Sequence, residues 1–375
     1  MNVKFFKQSQ VNQDYKKSFL RNASQLFDGS TYLVNGSFST LFEEKFSEYV
    51  NASYTAFVSN GLDALILALE SVNIGQGDIV VVPSHTYIAT WLAPLRLGCK
   101  LIVAPVREDN LLMDMSRIHD YLSHEVKAVM PVHLYGNSCD INALKSLQSS
   151  YDFYIVEDAA QAHGTKDIDK MVGSLGDLTC FSFYPTKNLG AIGEAGAVTC
   201  NNKDFYEKIV SLRNYGRSPE DGAINLYCGL NRRGDELQAC FLVEKLKALD
   251  LIRARRLKLM QIYVDKLSHR QKQFTLIKYL PSSSPHLAVL RLKDLGTRDQ
   301  LRQYLFGLGI ETAVHYSVPC HAQPFIDSSN ILIKSELIEQ AQLIADTILS
   351  LPLTEAHTQV EIEYVCNAIN DFFDD

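Results

Sequence analysis

The sequence predicts an α/β fold: a mostly parallel mixed sheet between helices, followed by a smaller C-terminal α/β domain. Three observations predict it. Short apolar runs alternate with helix-like stretches from about residue 55 to 200. Those runs are nearly continuous in hydrophobicity, as strands covered on both faces are. A long stretch rich in Leu, Lys and Arg, Asp235 to Ser268, then leads into a second, shorter set of elements. A chain of 375 residues suits two domains. We expect a large ligand-binding domain over 1–245 and a smaller one over 246–375.

The predicted strands are Thr55–Ser59, Ile79–Pro83, Lys100–Val106, Ala128–Tyr135, Phe153–Val156, Leu178–Phe183 and Gly196–Cys200. Between the early ones lie helix-like segments at Leu62–Val72, Ala89–Leu97, Met115–Leu122 and Ile141–Ser149. Asp235–Ser268 reads as one long helical stretch. Beyond it, Leu287–Leu292 is strand-like, Arg298–Phe306 and Ser335–Ile348 are helical, and Pro281–Pro285 is the clearest loop. Open sheets of this kind bind ligands at the carboxyl ends of their strands. Attention therefore falls on Ser59-Asn60-Gly61, Ser84-His85-Thr86-Tyr87, His133-Leu134-Tyr135-Gly136, Glu157-Asp158 and Ser182-Phe183-Tyr184.

Composition narrows the function classes. Apolar residues make up 46% and charged residues 21%, the profile of an ordinary globular protein. The net charge of −7 and the lack of a long basic run argue against nucleic acid or an anionic membrane as partner. Met1–Gln10 lacks the apolar core of a signal peptide. No apolar run approaches the roughly 18–20 residues that span a bilayer. The eight cysteines are scattered without a Cys-x-x-Cys pair, which suits reduced thiols in a cytoplasmic protein and no metal site.

Lys187 sits in Ser182-Phe183-Tyr184-Pro185-Thr186-Lys187-Asn188-Leu189-Gly190, just past a strand end. Most lysines in turns are plain surface residues. The stretch Val156-Glu157-Asp158-Ala159-Ala160-Gln161 changes that reading. Two acids end an apolar strand, where an unpaired carboxylate is costly. Asp158 is either a helix cap or the partner of a cation. A protonated pyridine nitrogen is such a cation, and a lysine 29 residues on, one strand further, can hold the other end of that ring. Ser59-Asn60-Gly61-Leu62 passes from strand to helix, where free amides favour a phosphate. Ser182 adds a hydroxyl, and Tyr87 is an aromatic that can stack on a ring.

Together these segments resemble the DegT/DnrJ/EryC1/StrS nucleotide-sugar aminotransferases, of the aspartate-aminotransferase fold (fold type I). The resemblance runs from about Tyr32 to Phe373. Its most specific stretches are Gly75–Pro83, Pro131–Gly136, Glu157–Gly164, Ser182–Gly190 and His315–His321. It implies pyridoxal 5'-phosphate as cofactor, carried covalently by Lys187, which also moves protons. Asp158 would pair with the pyridine nitrogen. Gln161, one helical turn on, would face the ring hydroxyl, and Tyr87 would stack. Gly61, Leu62 and Ser182 would hold the phosphate. Asn231 would reach it from the neighbouring subunit, which implies a homodimer with shared sites. His85, Tyr184, Arg233, His315, Tyr316 and His321 match positions around the sugar. No carboxylate or thiol completes a metal site with His315 and His321.

The chain departs from the family pattern at Leu62, where threonine is usual, at Glu194-Ala195 and at Ser317. None of these removes a catalytic group. Pro83–Ala93 and Tyr184 look closest to members acting on dTDP-3-keto-6-deoxyhexoses, so the resemblance implies a 3-aminotransferase with glutamate as donor. The alternatives are a 4-aminotransferase, a dehydratase and a non-enzymatic regulator. Lys187 argues against the dehydratases, which have histidine there. A regulator should have lost Lys187 or Asp158.

Overall fold

Val80, Val81 and Val82 are all fully buried, so both faces of their strand are covered. The computed structural model describes residues 1–167 and 170–374. The last residue of the expected small domain, Asp375, lies outside them. The strands that matter to the architecture are β1 (Tyr54–Val58), β2 (Ile79–Pro83), β3 (Lys100–Ala104), β4 (Val126–Val129), β5 (Tyr154–Asp158), β6 (Leu178–Ser182) and β7 (Gly196–Cys200). The C-terminal part adds β8 (Phe274–Leu276), β9 (Ala288–Leu292), β10 (Ile331–Leu332) and β11 (Ile348–Leu351).

Eight of these form one sheet in the order β1-β7-β6-β5-β4-β2-β3-β10. All neighbours pair in parallel except β7, which is antiparallel to both β1 and β6. The mostly parallel sheet is thus as the alternating pattern predicts, and the antiparallel β7 makes it mixed, as the fold resemblance implies. Strands β8, β9 and β11 form a separate antiparallel sheet.

Two apolar cores follow from these sheets. The larger one packs helices on the big sheet. Within it, Phe42, Phe46 and Phe57 surround Phe183 and Phe181, with Phe46–Phe181 at 5.0 Å and Phe42–Phe183 at 5.2 Å, both edge-to-face. Each such pair contributes about 0.5–1.5 kcal/mol beyond area burial. The pairs fix the end of β6, from which the Lys187 segment departs. The smaller core gathers Leu259, Tyr263, Leu290, Leu301, Leu349 and Ile362, together with Val3 from the N-terminus.

Three sequence expectations change. Asp235–Ser268 is two helices, Glu236–Leu246 and Leu249–Leu267, broken at Lys247-Ala248. No Gly or Pro marks the break. The first helix buries residues in the large core and the second mostly in the small one, so tertiary packing sets the bend. Met115–Leu122 yields only a 3-10 turn at Ile118–Tyr121. The Ala128–Tyr135 run leaves the regular strand after Val129, yet pairing goes on: Met130 N donates to Val81 O (2.8 Å), Pro131 O accepts from Asp158 N (2.9 Å) and His133 N donates to Asp158 O (3.0 Å), while Pro131 itself has no amide to donate. Its remainder turns at Leu134–Gly136, with Tyr135 at φ 59°.

Candidate active site

Successive strand residues point to opposite faces, and at the end of β5 this separates the two acids. Glu157 is fully buried and saturated. It accepts hydrogen bonds from Gly176 N (2.6 Å) and Thr179 Oγ1 (2.6 Å) and pairs with His133 Nε2 (2.7 Å). It is structural. Asp158, on the other face, accepts from Thr90 Oγ1 at 2.7 Å and from Ala160 N at 3.1 Å. No helix follows it: Ala159–Gly164 runs in two turns, closed by Ala162 N to Ala159 O and Thr165 N to Ala162 O. Asp158 is therefore no helix cap, and Gln161 does not lie one helical turn on.

The Lys187 segment leaves β6 and curls back on itself. Lys187 N donates to Tyr184 O (2.8 Å), and Ala191 N donates to Phe183 O (2.7 Å). Gly190 is required there, because a Cβ would stand 2.4 Å from the Pro185 carbonyl oxygen. Burial lowers the Lys187 amine to about 8, with the nearby Asp158 carboxylate opposing the drop. Among the described residues its ammonium makes no hydrogen bond.

The strand-to-helix turn is built for close approach. Asn60 caps the helix Gly61–Ser71 by accepting from Asp63 N (2.9 Å), which leaves the amides of Gly61 and Leu62 to an outside partner. A Cβ on Gly61 would lie 2.6 Å from Ser182 Cβ and 3.1 Å from its Oγ. Glycine alone keeps the gap open between these amides and that hydroxyl. The set fits pyridoxal phosphate: an anion cradle, a carboxylate ready for a ring cation, and a half-buried amine.

A hydrogen-bonded wall closes one side. Gln161 Oε1 accepts from Tyr135 N (2.7 Å), so its amide nitrogen faces Tyr316 and donates to that hydroxyl (2.9 Å). Tyr316 thereby keeps its own proton free to donate. The Tyr135 hydroxyl donates to the His315 carbonyl (2.6 Å) and must accept from His85 Nε2 (2.8 Å). His85 therefore carries its proton on Nε2. Its ring is buried, which pushes its pKa down to about 3, so it stays neutral. His85 stands behind Tyr316, at 6.3 Å between ring centroids, while Tyr87 lies 5.2 Å from Tyr316 and is 54% exposed. Tyr184 is also exposed.

The remaining candidates lie on other segments. Arg233 pairs in a bridge with Val58 at the end of β1, its guanidinium bonded to Asn214 and 5.4 Å above the Tyr215 ring. Asn231 is solvent-exposed on an arm pinned by bridges Asn214–Asn231 and Arg217–Asn225. His321 is half-buried, with Nδ1 unpartnered and its pKa lowered by burial. Among the described residues, no group of three or more His, Cys, Asp or Glu is placed to hold a metal ion. Nor is any helix long and apolar enough to cross a membrane.

The family model described as "DegT/DnrJ/EryC1/StrS aminotransferase family" matches residues 13–370. The chain belongs to that family. It is 35% identical over 370 residues to a dTDP-3-amino-3,6-dideoxy-alpha-D-galactopyranose transaminase of Aneurinibacillus thermoaerophilus, covering 99% of each. A Streptomyces venezuelae dTDP-3-amino-3,4,6-trideoxy-alpha-D-glucose transaminase is 36% identical over 332 residues, covering 88% of this chain and 85% of the relative. The crystal structure of S. venezuelae DesV superposes with a TM-score of 0.93 at 33% identity, covering 99% of this chain and 98% of that one. The fold is fold type I, and the chain is an enzyme of the aminotransferase class.

Sequence reasoning assigned no role to three residues of this aminotransferase site, although Tyr135 and Asn188 stand in segments it singled out. Thr90 holds Asp158 and is itself bonded to Thr86 Oγ1 (2.8 Å). Its signal was two hydroxyls four residues apart at a helix start. Tyr135 ties His85 to His315. Asn188, next to Lys187, is buried and donates to Ser284 O (3.1 Å) and Oγ (3.0 Å). Pro281–Pro285 is thus a loop as expected, but Ser283 and Ser284 are buried in it and buttress the lysine segment.

Proposed function

We propose that this chain moves the amino group of glutamate onto carbon 3 of a dTDP-linked 3-keto-6-deoxyhexose, using pyridoxal 5'-phosphate. One arrangement carries the reading: Asp158, its carboxylate held by Thr90, ends the strand next to the one that leads through Ser182 to Lys187, and Gly61 stands against Ser182. The substrate class is supported by the names of relatives 35% and 36% identical. The bound cofactor supplies an electron sink for the carbon that gains or loses the amine.

The chain's own groups do the rest. With its amine near 8, Lys187 is roughly one-tenth neutral at pH 7, against well under a thousandth for a free lysine. It is the nucleophile that carries the cofactor and the base that moves protons. Asp158 keeps a proton on the ring nitrogen, and Thr90 holds that carboxylate in place. The Gly61 and Leu62 amides and the Ser182 hydroxyl grip the phosphate; the backbone contact at Leu62 needs no side-chain hydroxyl. Gln161 faces the ring hydroxyl and Tyr87 covers the ring face. Tyr184, Arg233, His315, Tyr316 and His321 surround the sugar, with His85 behind them.

The active unit is a homodimer in which Asn231 reaches the partner's phosphate site. Ile224, Leu226, Tyr227 and Leu230 are all exposed on the arm that carries Asn231, an apolar edge suited to a second copy. The large cofactor-binding domain is drawn mainly from 1–245 and the smaller domain mainly from 246–375, with Val3 crossing into the smaller core and the Ile331–Leu332 strand joining the large sheet, and the enzyme works in the cytoplasm. Incubating the purified enzyme with glutamate and either dTDP-3-keto or dTDP-4-keto sugars tests the reading. A 3-amino product is expected; a 4-amino product alone, or no amination of either sugar, would overturn the reading.

A further inference from the structure

The N-terminal residues have no part in the site so far. They are nevertheless tied down one by one. Val3 is fully buried and runs parallel to Ile310; its amide donates to Gly309 O (2.8 Å), and Glu311 N donates to Val3 O (2.9 Å). His357 Nδ1 accepts from Thr354 N (2.9 Å), so Nε2 bears the proton and donates to Lys4 O (2.9 Å). Lys4 pairs with Glu311 at 2.7 Å, and the other Glu311 oxygen accepts from Phe5 N at 3.0 Å. Lys7 pairs with the half-buried Glu361. These ties flank Phe5 and Phe6, and they fix where the Phe5 ring goes.

The Phe5 ring stacks on His315, with centroids 5.8 Å apart and planes 23° from parallel. The rest of His315 is anchored from the core side. Nδ1 bonds to Ser350 Oγ at 2.9 Å, and the carbonyl accepts from Tyr135. Among the described residues Nε2 has no partner. We propose that residues 1–7 form a strap whose Phe5 ring sets the tilt of His315, making Phe5 a positioning residue for recognition of the keto sugar. This rests on the reading that His315 lines the sugar pocket. Phe5 covers one face of the imidazole, while the ring is otherwise held by the Ser350 hydrogen bond and by an edge contact with Tyr316, 5.5 Å between centroids; among the described residues Phe5 is the one aromatic ring stacked on it.

The test uses the full-length enzyme in three variants, Phe5→Ala, Phe5→Leu and His315→Ala, with the two half-reactions followed separately. Phe5→Ala should raise KM for the keto sugar about 10- to 100-fold, as expected for a displaced contact group. The glutamate half-reaction should stay within about twofold, since its chemistry sits at Lys187. Phe5→Leu, which keeps the lobe packed without a ring, should reproduce the KM effect with an unchanged melting temperature. Without cofactor, NMR of labelled histidine should show the ring-current shift of the His315 protons lost in both Phe5 variants. If His315→Ala raises the sugar KM while both Phe5 variants keep the wild-type value, the strap has no role and the proposal fails. If His315→Ala leaves the sugar KM unchanged, the placement of His315 in the pocket fails, and the proposal falls with it.

Discussion

The two sides of the site are built differently. On the cofactor side, Asp158, Gln161 and Asn188 are buried, and their side-chain bonds go to named partners. On the outer rim, Tyr87, Tyr184 and Asn231 are exposed, and the Asn231 arm turns apolar side chains to solvent. Groups that hold charge or pass protons need one geometry before any ligand arrives. Rim groups acquire theirs from what docks on them. The cofactor side should therefore fail in large steps when cut, and the rim in small ones.

The largest effect should come from Lys187→Ala. Loss of the base should cost on the order of 10⁴-fold in turnover. The melting temperature should hardly move, because the amine makes no hydrogen bond among the described residues. Borohydride treatment of the yellow wild-type enzyme, followed by peptide mapping, should label the peptide containing Lys187. A label elsewhere would remove Lys187 from its role.

Asp158→Asn comes next, with turnover expected to fall about 10²- to 10³-fold. Thr90→Val should cost about tenfold, from one hydrogen bond to a charged group. The charge also has a signature in pH. Burial lowers the Lys187 amine and Asp158 pulls it back up. Removing the charge must therefore lower it further. Only the neutral amine captures cofactor, so capture by the cofactor-free enzyme should accelerate as pH rises through about 8. In Asp158→Asn that midpoint should move to lower pH. A midpoint that stays put would show that the carboxylate does not reach the amine.

The same contrast explains what was legible in the sequence. The sheet could be read because its strands are buried on both faces, and hydrophobicity records that directly. Lys187, Asp158 and Gly61 could be read because they follow strand ends, where such sheets bind ligands. Thr90, Tyr135 and Asn188 act through partners 68, 180 and 96 residues away in the chain, and no local pattern marks a partner at that distance. The break at Lys247-Ala248 was hidden for a related reason: helix propensity is continuous across it, and two separate cores impose the bend.

A smaller effect tests whether the rim is completed by a second copy. Lys187→Ala subunits should be inactive, and Asn231→Ala subunits nearly so, the one rim change expected to cost as much as a cut on the cofactor side because Asn231 is proposed to grip the phosphate. Mixed with demonstrated exchange, half the dimers should be hybrids, and one of the two sites in each hybrid is intact. About a quarter of wild-type activity should return. No recovery would place Asn231 within its own subunit's site and make the rim as self-contained as the cofactor side.

The smallest expected effect lies at Tyr184, and it bears on which carbon is aminated. The ketone must come within reach of Lys187 for the amine to move. The nucleotide anchors the far end of the substrate, so shifting the ketone by one ring carbon requires the hexose to tilt. Side chains that touch the hexose must then differ between 3-keto and 4-keto enzymes. Tyr184 lies three residues before Lys187, is exposed, and has one hydroxyl proton to donate. In the proposed reading it orients the sugar, while Lys187 carries the protons. Tyr184→Phe should therefore raise KM for the keto sugar about 3- to 10-fold, the value of one hydrogen bond, and leave turnover within about twofold. A larger fall in turnover than in affinity would move Tyr184 into the proton path and erase the division between the two sides. NMR of the product then decides the carbon. Amination at carbon 3 fits a sugar held by Tyr184 in the tilt argued here, whereas amination solely at carbon 4 would overturn the 3-aminotransferase reading and leave the roles of Lys187 and Asp158 untouched.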